Sequence, residues 1–128
     1  MTITELQQQY AAHPHTDAVN KLLNDTSVKH LFCGGLCASA ASFFSSSLIR
    51  KYDVPFVFIL GDLEEAGYFY HDLTQILGTE RVLFFPSSFR RAIKYGQKDA
   101  ANEILRTEAL SRLEKGDTSV CIVTYPDA

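Results

Sequence analysis

Short apolar runs alternate along this chain with longer segments of helical periodicity, and that alternation restricts the fold more than any other feature. The four runs predicted to be strands are His30–Cys33, Phe56–Leu60, Val82–Phe85 and Ser119–Thr124. The three long helices predicted between them are Cys37–Tyr52, Leu63–Leu77 and Ala100–Lys115. Strands joined by helices form parallel sheets with right-handed crossovers and helices on the sheet faces. The sequence therefore predicts an α/β fold, a three-layer α-β-α arrangement with a mainly parallel sheet.

Local signals mark the ends of these elements. Asp62 is predicted to cap the second long helix, with Glu65 three residues later as its reciprocal partner. Gly78 and Gly116 are predicted to stop the second and third helices. The run Phe56–Leu60 is apolar without alternation, which is typical of a strand buried on both faces.

Helical spacing predicts which side chains face the core. The predicted stripe of the first long helix is Cys37, Ala41, Phe44, Leu48 and Tyr52. The predicted stripe of the second is Leu63, Ala66, Tyr70, Leu73 and Leu77. Phe69 then points away from the core, and we expect it to contact another domain.

The chain divides into an N-terminal helical segment, residues 1–27, and an α/β region, residues 28–128. Residues 2–24 are predicted to form one or two short helices, interrupted at His13-Pro14-His15 because proline cannot continue a helix. The chain ends directly after a predicted core strand, at Tyr125–Ala128. Two interpretations stay open, a natural C-terminus and a piece of a larger protein cut at a domain boundary.

Composition limits the class of protein. The chain has 128 residues, 46% of them hydrophobic and 21% charged, which is ordinary for one globular domain. A net charge of -3 does not favour nucleic acid or an anionic membrane. No segment approaches the ~20 apolar residues of a membrane span, and the N-terminus has no secretory pattern. The three cysteines lie in or beside apolar runs, which predicts a cytoplasmic protein with free, mostly buried thiols.

The turn after the first predicted strand resembles a phosphate-binding loop that has lost its chemistry. A working loop has the pattern G-x-x-x-x-G-K-[ST]. Gly34, followed by Gly35, matches the first glycine, but Ser39, Ala40 and Ala41 stand where the second glycine, the lysine and the hydroxyl belong. The lysine neutralises phosphate charge and the hydroxyl holds Mg²⁺, and alanine supplies neither. We expect no catalytic residue and no bound cofactor here. Anion binding by Gly34–Ser39 at the helix N-terminus stays open as an alternative.

The sequence does not match the motifs of two other kinds of site, a dinucleotide-binding site and a zinc site. A dinucleotide-binding motif needs glycines where Leu36 and Ser39 stand, and Asp62 is better explained as a helix cap than as a ribose ligand. A zinc site built on Cys33 and Cys37, with His30 nearby, has no second pair of ligands. We therefore predict no metal site.

The order and spacing of these segments resemble the N-terminal domain of the bacterial transcription-repair coupling factor family, over about residues 15–128. The segments that carry the resemblance are Leu31–Ala40, Phe56–Asp62 with Ala66, Asp72 and Leu73, Phe85–Ser87, Arg106–Leu113 and Val120–Thr124. Ala40 and Ala41 match that family in lacking the lysine and hydroxyl that excinuclease B, a DNA-repair protein of similar fold, has. Each motif is short, so the case rests on their order.

The resemblance implies a fold similar to excinuclease B, with a degenerate P-loop NTPase-like subdomain of which this chain is the first half. It implies a non-catalytic domain for regulation and assembly within a larger protein. That full-length protein is an ATP-driven DNA translocase, with ATP and Mg²⁺ in its motor domains. Its partners are RNA polymerase, excinuclease A and double-stranded DNA, besides contacts among its own domains. Only Ser87–Asp99 follow the third predicted strand, too few for the long DNA-gripping hairpin of excinuclease B.

A basic cluster lies in the stretch after the third predicted strand. Its members are Arg90, Arg91, Lys94 and Lys98, with Phe89 and Tyr95 among them. Basic residues interleaved with aromatics can bind single-stranded nucleic acid. The alternatives are a solvated loop and a contact with a neighbouring domain. A stand-alone interaction domain unrelated to repair also stays open for the whole chain.

Overall fold

The computed structural model describes residues 1–89 and 99–128, which form two compact units, Met1–Tyr52 and Asp53–Ala128. The helices are α1 (Ile3–Ala11), α2 (Pro14–Leu23), α3 (Ala40–Ile49), α4 (Leu63–Leu77) and α5 (Ala100–Glu114). The strands are β1 (Phe56–Ile59), β2 (Val82–Phe84) and β3 (Cys121–Thr124). Within the described ranges, no helix is both long and apolar enough to cross a membrane. The division predicted at residues 27 and 28 stays a prediction.

The second unit, Asp53–Ala128, contains a three-stranded parallel sheet in the order β1-β3-β2. The central strand pairs with both neighbours, so that Val123 lies opposite Phe58 on one side and Phe84 on the other. Parallel strands joined by helices confirm the predicted α/β class. The observed strands start or end one or two residues inside the predicted runs, the usual uncertainty of element boundaries.

Helices cover both faces of this sheet. On one face, Phe69 of α4 packs against Phe58 of β1, with 5.0 Å between the ring centroids. The other face carries a cluster of buried side chains from α5, β2, β3 and the residue before β3: Leu83, Ala109, Val120 and Ile122. β1 and β2 follow each other in the chain but form the two edges of the sheet, and the chain then returns to form β3 between them. Crossovers of one hand place their helices on opposite faces when the direction along the sheet reverses.

The strand β1 is covered on one face only, which corrects the prediction of burial on both faces. Phe56 and Phe58 are half-buried, whereas Val57 and Ile59 are 56% and 69% exposed. The reason is topological. In the observed order β1 is an edge strand, and α5 packs against β2 on the face to which Val57 and Ile59 belong.

The prediction that Phe69 points out of the domain is wrong. Phe69 is 8% exposed, and its neighbour Tyr68, at 70%, is the exposed aromatic residue. The buried positions of α4 are Ala66, Phe69, Leu73 and Ile76. This stripe is rotated from the predicted one, because the aromatic ring of Phe69 fills the space above Phe58 and Tyr70 is left half-buried.

The predicted ends of α4 and α5 are confirmed. The Asp62 carboxylate accepts the Glu65 N–H at 2.9 Å, as predicted, whereas the Glu65 carboxylate accepts the N–H of Gly61, at 3.1 Å, rather than that of Asp62. Gly78 follows α4 with a φ of 89°, and Gly116 follows α5 with a φ of 73°. Glycine adopts these left-handed angles without a steric penalty, which is why both helices stop there.

The first unit, Met1–Tyr52, contains three helices. Thr2 and Glu5 form a reciprocal cap at the start of α1. The predicted interruption at His13-Pro14-His15 is confirmed, since α1 ends at Ala11 and Pro14 is the first residue of α2. Proline is well placed there because the first helical N–H has no intrahelical acceptor.

The strand predicted at His30–Cys33 is not formed, since residues 24–39 contain neither helix nor strand. Phe32, the largest apolar residue of that run, is 92% exposed. A four-residue apolar run gives only a tendency toward extended structure, and a strand also needs a neighbour with which to pair.

The helix α3 is shorter than predicted and buries a different face. It covers Ala40–Ile49, and its buried residues are Ser42, Ser46, Ser47 and Ile49, whereas the predicted apolar stripe is at most half-buried. Ser46 and Ser47 donate their hydroxyls to the carbonyl of Phe43, at 2.7 and 3.1 Å. Because those hydroxyls are satisfied within the helix, small serine side chains can lie inside the unit.

Candidate functional site

The segment predicted as a degenerate phosphate loop, Gly34–Ala41, is open and irregular and leads into α3. Gly34, Gly35 and Ser39 are exposed, and Ala40 and Ala41 are the first two residues of the helix, half-buried. The backbone has a positive φ at two positions, 81° at Gly35 and 48° at Ala38. It turns at Ala38 and Ser39, directly before the helix. Ser39 caps α3 without a side-chain hydrogen bond. A helix thus follows the segment as predicted, but the strand predicted to precede it is not formed.

Two backbone donors of this loop are already used within the turn. The Ala40 N–H donates to the Cys37 carbonyl at 3.1 Å, and the Ala41 N–H donates to the Ala38 carbonyl at 3.3 Å. A phosphate-binding turn directs such N–H groups at the ligand instead. At these two positions the loop therefore offers an anion neither a charged side chain nor an open backbone donor.

A cavity of about 520 Å³ lies beside this loop, within the first unit. Its lining residues, most of them apolar, are Gln9, Tyr10, His13, His15, Thr16, Ala18, Val19, Leu22, Leu31, Phe32, Cys33, Gly34, Leu36 and Phe44. His13 Nδ1 accepts the His15 N–H at 3.1 Å, and this bond caps α2. Neither histidine was predicted to take part in chemistry, because no spacing motif contains them. Their position beside the cavity results from tertiary packing.

The carboxyl ends of the strands, where ligands bind in α/β sheets, carry structural hydrogen bonds. The Tyr125 hydroxyl accepts the Ser87 N–H at 2.8 Å, and Asn102 donates to the Ser87 carbonyl at 2.9 Å. Arg106 donates to the carbonyls of Pro86 and Ala128, both at 2.8 Å, and covers the ring of Phe85. Asp62 is engaged as a helix cap, as the sequence predicted. These contacts tie α5 to the end of the sheet.

The three thiols lie in different surroundings. Cys121 is buried in β3, and burial raises its pKa to about 12, against a smaller opposing effect of Arg81. Cys33 and Cys37 are exposed, so the prediction of mostly buried thiols is wrong for these two. The strand predicted to contain Cys33 is not formed, and the helix predicted to begin at Cys37 begins at Ala40. Within residues 1–89 and 99–128, no group of three histidine, cysteine or acidic side chains is arranged to hold a metal ion.

The basic cluster Arg90, Arg91, Lys94 and Lys98 lies outside the described residues, as does Tyr95. Phe89, the one member of that predicted patch that the structure describes, is exposed. The nucleic-acid and interdomain interpretations of the cluster both stay predictions.

Comparison of the chain with protein-family models, with curated proteins and with solved structures finds no match.

Proposed function

We propose that this chain is a non-catalytic scaffold domain at the N-terminus of a protein of the transcription-repair coupling factor family, with a degenerate P-loop NTPase-like fold. The observation that carries the proposal is the pair Ala40 and Ala41 at the positions where a nucleotide-binding loop has its lysine and its metal-binding hydroxyl. The order of motifs from Leu31 to Thr124 supports the family, and the parallel sheet of the second unit is compatible with it.

The chemistry of phosphate binding explains why alanine at positions 40 and 41 argues against nucleotide binding. Triphosphate carries several negative charges, which a bound protein must neutralise with a cation and with N–H donors. The methyl groups of Ala40 and Ala41 bring no charge, and their N–H groups donate to Cys37 and Ala38. A domain built this way has kept the helix of a nucleotide-binding fold for packing and assembly.

In this proposal the chain acts through the rest of its protein. Other domains of the same polypeptide are its immediate partners. ATP and Mg²⁺ bind to the motor domains, and RNA polymerase, excinuclease A and double-stranded DNA are partners of the full-length translocase. The length of the natural open reading frame is the simplest check, because the proposal requires coding sequence for a polymerase-binding domain and a motor.

Ligand-induced stabilisation tests the loop directly. The melting temperature of the chain is measured with and without Mg-ATP, and with an active P-loop ATPase in parallel as the positive control. We expect no change for this chain, since a ligand without affinity for the folded state cannot stabilise it. A clear rise would instead favour a small nucleotide- or anion-binding module that uses Gly34–Ser39.

Strand-specific repair tests the biological role. Cells that lack the gene are expected to repair ultraviolet damage on the transcribed strand no faster than on the other strand. A gene copy with Ala40→Asp is expected to restore the wild-type difference, because a carboxylate that repels phosphate is harmless where no phosphate binds. Normal preference for the transcribed strand in the deletion strain would refute the repair assignment. Failure of the Ala40→Asp copy, with the protein present at normal levels, would refute the nucleotide-independent loop.

A further inference from the structure

The strand β1 has one edge without a neighbour among residues 1–89 and 99–128, because it pairs only with β3 in the sheet. The Phe56 N–H donates to the Val120 carbonyl at 3.1 Å, and the Leu60 N–H donates to a carbonyl of β3 at 2.9 Å. Backbone groups of every second residue in a strand point to the same side. Those of Val57 and Ile59 therefore point away from β3, toward the open edge.

The same two residues, Val57 and Ile59, carry exposed apolar side chains. Edge strands of natural proteins are commonly protected against further pairing by a charged side chain, a bulge or a proline within the strand. All four residues of β1 are apolar, and none is proline. An edge that combines outward N–H and carbonyl groups with apolar side chains is suited to pairing with an additional strand.

Acidic side chains flank this edge at both ends. Within segment 53–65 the charged residues are Asp53 before the strand and Asp62, Glu64 and Glu65 after it, all of them exposed. The segment contains no lysine, arginine or histidine. Pairing of β1 with β1 of a second copy would place acidic residues opposite acidic residues in either strand direction, which repulsion disfavours. A strand with basic ends is attracted instead.

We propose that the open edge of β1 binds an extended peptide segment of another protein, apolar at alternate positions and basic at both ends. The backbone of this segment exchanges hydrogen bonds with Val57 and Ile59 and becomes a fourth strand of the sheet. Its apolar side chains cover those of Val57 and Ile59, and its basic ends lie near Asp53 and Glu64. This surface belongs to the second unit and is independent of the proposed repair role and of nucleotide binding.

Fluorescence anisotropy of a labelled peptide tests the proposal on the full chain. The probe is the peptide KKVTVTVKK, and its control has glutamate in place of every lysine. We expect saturable binding of the first peptide, weakened by added salt, and binding of the second that is at least ~10-fold weaker. Glu64→Lys should weaken binding of the first peptide and strengthen binding of the second, because it reverses the charge near one end of the edge.

Amide hydrogen exchange locates the bound strand. With KKVTVTVKK bound, exchange of the Val57 and Ile59 N–H groups should slow, while that of Phe58, which faces β3, should change less. Val57→Pro removes an outward N–H and leaves the bonds to β3 in place. It should weaken binding about tenfold, whereas Val57→Thr keeps the N–H and should have a smaller effect. If Val57→Pro unfolds the chain, the exchange pattern of the wild type decides the question.

Several results would overturn the proposal. They are a lack of binding of KKVTVTVKK, equal binding of the glutamate peptide, slowed exchange confined to residues outside β1, and full affinity of a folded Val57→Pro chain. Sedimentation of the peptide-free chain as a dimer that KKVTVTVKK dissociates would assign the edge to a second copy, which also contradicts the proposal.

Discussion

Asp117 accepts four hydrogen bonds from two neighbouring residues. Its carboxylate accepts from the Ser119 N–H and hydroxyl at 2.9 and 2.6 Å, and from two Arg112 nitrogens at 2.8 and 2.6 Å. Arg112 also donates to the Glu80 carbonyl. Hydrogen bonds from Ser119 first, and then from Arg112, lower the pKa of Asp117 to about 2. The turn between α5 and β3 is thus fixed by one ionised group.

This arrangement predicts an acid-dependent loss of stability. Because the folded-state pKa lies below the ordinary value of about 4, the stabilisation is complete above pH ~4 and is lost as the pH falls toward 2. Asp117→Asn should lower the melting temperature at pH 7, and the difference from the wild type should shrink between pH ~4 and ~2. Asp17→Asn, which breaks an exposed pair with Lys21, should have little effect. A difference for Asp117→Asn that is as large at pH 2 as at pH 7 would contradict this account.

The hydroxyl group of Tyr125 gives a second prediction about stability. Its ring is 5% exposed, and its hydroxyl accepts the Ser87 N–H. Tyr125→Phe leaves that partly buried donor without its acceptor, which should cost about 1–3 kcal/mol of unfolding free energy in urea titrations. Tyr68→Phe is the matched control, since Tyr68 is 70% exposed and should lose nothing measurable. Equal effects of the two substitutions would show that the Tyr125 hydroxyl contributes no stability.

At the scale of elements, local signals were enough to predict where helices begin and end. Asp62, Pro14, Gly78 and Gly116 act through their own backbone geometry or through a neighbour three residues away. Such effects depend on nearby sequence only, so they survive any tertiary arrangement. The three strands of the second unit were also predicted, because each is apolar and bounded by turn residues or proline.

What depends on distant packing could not be predicted from the sequence. The runs His30–Cys33 and Val82–Phe85 are both short and apolar, but only the second forms a strand. The difference is hydrogen bonding to a neighbouring strand, which the local sequence does not show. The serine face of α3 is buried because its hydroxyls bond within the helix. Of the candidate site, the sequence shows that positions 40 and 41 carry neither a lysine nor a hydroxyl. The internal N–H bonds, the cavity and the exposed thiols depend on tertiary packing and could not be predicted.

The orientation of α4 gives a prediction for two adjacent aromatic residues. Phe69 packs on Phe58 in the core, and Tyr68 faces out. Phe69→Ala should cost about 3–5 kcal/mol of unfolding free energy, because it removes a buried ring and leaves a cavity. Tyr68→Ala should change stability by no more than ~0.5 kcal/mol. A larger loss for Tyr68→Ala in urea unfolding would contradict this orientation of α4, because it would place Tyr68 rather than Phe69 in the core.

At the scale of the whole molecule, the two units have different interiors. Of the thirteen buried hydrophobic residues among those described, twelve belong to the unit Asp53–Ala128, and only Ile49 belongs to Met1–Tyr52. The buried polar residues all belong to the first unit: Gln7, Thr16, Asn20, Ser42, Ser46 and Ser47. Both side-chain polar atoms of Asn20 are buried without a hydrogen-bond partner. Buried apolar area stabilises a fold, while unpaired polar atoms cost free energy.

This contrast predicts that the two units differ in independent stability. A fragment of residues 53–128 should fold alone, with mixed α/β circular dichroism and a cooperative urea transition, because its sheet and both covering helices are included. A fragment of residues 1–52 should show no cooperative transition, since three short helices around a polar interior gain too little from burial to offset their conformational entropy. Val123→Asp, which places a charge at a fully buried position of β3, should abolish the transition of fragment 53–128 and serves as its control. A cooperative transition in fragment 1–52 and none in fragment 53–128 would mean that apolar burial is not what holds this chain together.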